Sequence, residues 1–137
     1  MRTTRPTTSA TSILLALALD AALVLGFAAA GLASHGSGVL SAGGMAIATT
    51  AMPFLVALML GWLVGRLWRA PLAPIRTGLP IWLVTLTGGM LLRFATGQGT
   101  ALPFVIVAAL TLLVLLVGWR AAASSLARRH ARGRTEA

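Results

Sequence analysis

Two charged side chains, Asp20 and Arg93, stand inside otherwise apolar stretches, and their types define the chemistry open to this chain. An ion deep in hydrocarbon has to be paired, shielded or used. A lone acid at depth can carry a proton or bind a cation. An acid facing a guanidinium can instead form a structural pair, which offsets insertion costs of about 2.5–3.5 kcal/mol per charge. Two further readings stay open: Asp20 as a neutral carboxyl hydrogen-bonded to Thr85 or Thr111, and Arg93 snorkelling to the nearer interface. The candidate intramembrane polar site is therefore Asp20, Arg93, Thr85, Thr111 and Trp82, with His35 beyond the end of the first apolar stretch. His35 has no carboxylate or thiolate beside it and reads as an interfacial polar residue; His130 reads as solvated. There is no cysteine, which excludes disulfides, thiolate metal sites and cysteine nucleophiles. A single intramembrane acid gives no paired-carboxylate chemistry. No catalytic residue, metal site or cofactor is expected, and an enzyme is the least favoured class.

The elements that must position these residues follow from hydropathy. Hydrophobic residues make up 58% of the chain and charged residues 9%, against about one-quarter charged in soluble domains. The mean hydropathy is +0.92, and a soluble fold of this size could not hide so much apolar surface. Four stretches are long enough to cross a bilayer, at about 12–34, 43–66, 79–96 and 103–119. A polar leader, 1–11, precedes them and a basic tail, 121–137, follows, read as a helical extension fraying into solvent. The first stretch is too long for the apolar core of a signal peptide and carries Asp20 at its centre, so it is expected to be retained. The fold class is all-α: a polytopic transmembrane four-helix bundle.

The net charge of +9 comes from arginine alone. Ten of the eleven arginines lie before the first span, between the second and third, or after the fourth, and none lies in the other two connections. That alternation predicts both termini inside. Trp62, Trp68, Trp82 and Trp119 fall near the same interface, where indoles concentrate. Arginine without lysine, with abundant alanine, points to a GC-rich bacterial genome and to the cytoplasmic membrane, with anionic lipid at the inner face.

Spacing within the spans sets which faces meet. Pro53 interrupts the second span and predicts a kink rather than a break. Thr49, Pro53, Ala57, Gly61 and Gly65 recur every four residues there, a small-residue row that permits close helix contact. In the third span Gly78, Trp82, Thr85, Gly89, Arg93 and Thr96 share a stripe about 80° wide. The fourth, rich in Leu and Val, is expected to be the most lipid-exposed. At 1.5 Å per residue Asp20 and Thr111 lie about 12 Å from the inner edge and Arg93 about 21 Å. Helical side chains lean toward their N-terminus, which tilts Arg93 toward Asp20 and allows a direct or water-mediated pair.

The order of an acid in the first span, His35, Pro53-Phe54, Gly61-Trp62, Trp68-Arg69-Ala70-Pro71, Ile81-Trp82, Gly88-Gly89-Met90-Leu91-Leu92-Arg93, Phe104-Val105 and Gly118-Trp119-Arg120 resembles the domain of unknown function 3054 family of small four-span bacterial and archaeal proteins. The resemblance covers roughly Leu19 to Arg120. It implies the four-span architecture and singles out Asp20, His35, Pro53, Trp82 and Arg93 without giving any of them a task.

Two functions compete. In one the chain is a small proton- or ion-coupled transporter or channel, similar to small multidrug resistance exporters in length, span number and a lone carboxylate in the first span. Those exporters carry Glu and an aromatic set including Tyr, whereas this chain has no Tyr. Fluoride channels share the size but not their signature. In the other it is a non-catalytic scaffold or accessory subunit with a structural Asp20–Arg93 pair. One four-span protomer leaves little room for an enclosed pathway, so a homodimer is expected. Nucleic acid is not an expected partner.

Overall fold

The structure is a computed structural model and describes residues 9–34 and 43–135. His35 lies outside the described residues. Four helices form the fold: α1, Ala10–Ser34; α2, Gly43–Val64; α3, Leu79–Ala95; and α4, Leu102–Thr135. All four are long and apolar enough to cross a membrane, with α3 counted from the turn at Pro74.

Local chemistry sets the ends. Ser9 caps α1, its Oγ accepting from the Ser12 backbone N–H at 3.1 Å. α2 runs unbroken through the buried Pro53 and stops where Arg66 turns left-handed at φ 48°. A tight turn at Leu67–Arg69 and a wider one at Pro74–Gly78 lead to α3. In the wider turn the N–H groups of Thr77 and Gly78 both donate to the Ala73 carbonyl, each at 3.1 Å. α3 ends at Gly97, whose φ of 70° suits glycine. There Gln98 N–H donates to Arg93 O at 2.9 Å and Gly97 N–H to Phe94 O at 3.2 Å, the paired bonds of a Schellman ending. α4 does not stop near Trp119, where the apolar stretch runs out, but continues unbroken to Thr135.

Small residues bring α2 and α3 together. A Cβ on Gly88 would lie 2.9 Å from the Ala57 Cβ, and one on Gly61 would lie 2.8 Å from Ile81 Cδ1. At Gly89 an added Cβ would run into the Phe54 ring, so the absent side chain is what admits the aromatic. Phe54 in turn packs edge-to-face on Phe27 at 5.4 Å between centroids, and Phe104 lies 6.3 Å from both. One cluster thus joins all four helices. Below it Val24, Leu58, Ile81, Leu112 and Leu116 fill the interior without solvent exposure.

The outside of the bundle is greasy. Leu14, Leu91, Phe94, Leu102, Leu110 and Val114 are each more than 60% exposed. A bilayer covers such a surface and water does not. This is a multi-pass membrane protein, and α4 turns the largest share of its spanning surface outward.

Candidate functional site

Asp20 belongs to the buried ridge of α1, with Ala16 one turn before it and Val24 one turn after. Its carboxylate is fully buried, yet Arg93 is not its partner. Arg120 is. The guanidinium engages the carboxylate side-on, Nη1 donating to Oδ1 at 2.8 Å and Nη2 to Oδ2 at 2.6 Å. Both side chains are at 0% exposure. Two indoles complete the shell: Trp62 Nε1 donates to Oδ2 at 3.0 Å and Trp119 Nε1 to Oδ1 at 2.9 Å. Arg120 also donates from Nε to the Pro71 carbonyl at 2.9 Å and from Nη1 to the Leu116 carbonyl at 2.7 Å. Its Cζ lies 4.5 Å from the Trp119 ring centroid. The pair therefore ties α1, α2, α4 and the connection between α2 and α3 at one point.

Helix geometry explains why Arg120 reaches inward. Ala108, Leu112, Leu116 and Arg120 follow one another at four-residue spacing and are all at 0% exposure, so Arg120 is the last member of the core ridge of α4. Side chains lean toward their helix N-terminus, which carries Asp20 toward the start of α1 and Arg120 back into the bundle. In antiparallel neighbours the two lean toward each other.

The Asp20–Arg93 pair expected from depth is thus corrected. Arg93 lies in the last turn of α3, and its side chain bends the other way, onto the turn that ends the helix. Nε donates to Gly99 O at 3.3 Å, Nη1 to Gln98 Oε1 at 3.0 Å and Nη2 to Gln98 O at 3.1 Å. The guanidinium also rests on the Phe104 ring, 4.4 Å from its centroid. A cation in the last turn of a helix is favoured by the helix dipole, and with the Gln98 and Gly99 acceptors just beyond α3 this outweighs the lean of the side chain.

The hydrogen bonds to Thr85 or Thr111 that the alternative reading gave Asp20 are not formed. A carboxylate offers about four acceptor directions, and here four N–H donors fill them. Thr85 is fully buried, and its Oγ1 has no hydrogen-bond partner among the described residues. Thr111 is half-buried on α4 and takes no part in the Asp20 shell. Trp82 donates instead to the Ala109 carbonyl at 2.9 Å, closing α3 on α4. Gly65 is exposed at the end of α2, beside Leu67.

Three members of the site fall outside the sequence-derived set: Arg120, Trp62 and Trp119. The signal for Arg120 was its place four residues after Leu116. Its apolar surroundings end at Trp119, which made it look like the first residue of a solvated flank. The tryptophans read as interfacial aromatics, a role indistinguishable in sequence from donation to a buried acid.

A family model described as "Protein of unknown function (DUF3054)" matches residues 17–123, a span that contains Asp20, Trp62, Trp119 and Arg120. Neither comparison with curated proteins nor comparison with solved structures gives a match.

Proposed function

Since the chain belongs to the DUF3054 family, whose description leaves its activity open, we propose from the geometry that it is a non-catalytic membrane component, a scaffold or accessory subunit closed at one end by the Asp20–Arg120 latch. The observation that carries this reading is the saturation of Asp20. Its four acceptor directions are taken by Arg120, Trp62 and Trp119, and its exposure is nil. A carrier needs an acid that exchanges its partner for a proton or ion, and here no direction is open until one of three side chains withdraws. Breaking a buried pair on one side costs about 3–5 kcal/mol, which favours a fixed fastening over a working one.

The latch end is also the basic end. Arg66, Arg69 and Arg76 lie in the connection between α2 and α3, and Arg128 and Arg129 extend beyond Arg120 on α4. In this reading that end faces the cytoplasm of a bacterial cell and meets anionic lipid, at about 1 kcal/mol per basic residue near the surface. The apolar outer faces then serve to contact a second copy or a larger membrane protein.

Flux in reconstituted liposomes tests the proposal. The wild-type chain is expected to dissipate an imposed pH gradient no faster than empty liposomes. A dissipation that the wild type supports and a folded Asp20→Asn variant lacks would restore transport and remove the scaffold reading.

A further inference from the structure

At the end of the bundle opposite the latch, a cavity of about 470 Å³ opens between α1 and α4. Its walls include Phe27, Gly31, Thr50, Phe104 and Val107, and Arg93 stands at its rim as the one charged lining residue among the described residues. Nearly everything else facing the space is hydrocarbon or aromatic.

Arg93 has no acid partner among the described residues. The chain contains two acidic residues. Among the described residues Asp20 is the one acid, and Arg120 holds it at the other end of the bundle. Of the five N–H groups of the guanidinium, the turn carbonyls and Gln98 take three, so that among the described residues one hydrogen on each terminal nitrogen has no acceptor. Phe104 holds the plane of the group at 4.4 Å. The remaining N–H donors of a cation that no acid among the described residues neutralises suit the oxygens of a phosphate. Beside the cavity α4 presents exposed Leu102 and Ile106, surfaces that face lipid rather than water.

We propose that this cavity holds one acyl chain of a phospholipid with a net negative headgroup, its phosphate on Arg93 and its chain between Phe27, Gly31 and Val107. The charge selects the headgroup and the apolar walls select the tail. This inference stands on Arg93 and the cavity alone and does not depend on the role given to Asp20.

Native mass spectrometry of the purified full chain tests it, using micelles that contain equal amounts of phosphatidylglycerol and phosphatidylcholine with the same acyl chains. The wild type is expected to retain one phosphatidylglycerol per protomer, preferred about tenfold over phosphatidylcholine, whose phosphate can reach Arg93 but brings a choline cation that the guanidinium repels. Arg93→Gln should bring the preference close to unity, and Arg93→Lys should keep much of it. Gly31→Leu fills the cavity from a position where an added Cβ meets nothing within 4 Å, and it should expel both lipids while leaving the turn at Gly97 intact. Equal retention of the two lipids by the wild type would overturn the assignment. Retention unchanged in Gly31→Leu would overturn it too, since the lipid would then lie on the outer surface.

Discussion

Replacing Asp20 by Asn removes one charge and almost no volume, which isolates the electrostatic part of the latch. The amide keeps one acceptor oxygen and turns an NH2 toward donors. Of the four bonds now ending on the carboxylate, two come from Arg120 and one each from Trp62 and Trp119. Two of the four lose their acceptor, and a guanidinium at 0% exposure loses the counter-charge it is paired with. One-sided removal of a buried pair costs about 3–5 kcal/mol. Against a total stability of about 5–15 kcal/mol this is a large fraction. Equilibrium unfolding in detergent, followed by tryptophan emission, measures the loss, and Trp62 and Trp119 report from the site itself. The expected result is a destabilisation of at least 3 kcal/mol, about the lower bound above, with altered emission of the folded state. A loss below about 1 kcal/mol, the size of an exposed pair, with unchanged emission would refute the reasoning.

Three further substitutions probe packing and polarity. Gly89→Ala should destabilise by about 1–2 kcal/mol, because Phe54 is fully buried between Phe27 and Phe104 and cannot yield to a new methyl group. Gly118→Ala, where a Cβ meets nothing within 4 Å, should instead gain about 0.5 kcal/mol from helix propensity; the two signs are compared in the same unfolding assay. Thr85→Val replaces a buried hydroxyl that has no hydrogen-bond partner among the described residues with a methyl of similar size. It should raise stability by about 1 kcal/mol, and a loss of that size would mean that the hydroxyl has a partner after all.

The fold was readable because its cause is local: four apolar runs of bilayer length, punctuated by Gly97 and by the prolines after Arg69, leave few alternatives. The recurrence of Ala57 and Gly61 marked the face of α2 on which α3 lies, and Asp20 announced itself as a charge in hydrocarbon. Its partner did not. Depth counted along each helix places Arg93 at a workable height and treats Arg120 as a flank, since hydropathy ends at Trp119. What decides the pairing is lean and neighbour geometry, namely which way Arg120 projects from the ridge of Leu112 and Leu116, and whether Gln98 and the carbonyls of the turn after α3 capture Arg93 first. Neither is encoded in spacing alone. The aromatic shell was hidden for a similar reason, because Trp62 and Trp119 carry the same sequence signature whether their N–H groups face headgroups or a carboxylate.

The identity of the partner is best decided by a pair of double-mutant cycles in the same detergent. Asp20→Asn is combined with Arg120→Gln in one cycle and with Arg93→Gln in the other, each closed by its single variants. The Asp20–Arg120 cycle should return a coupling of about 2–3 kcal/mol, and the Asp20–Arg93 cycle should be additive within about 0.5 kcal/mol. Strong coupling between positions 20 and 93, with additivity between 20 and 120, would contradict the latch and everything built on it.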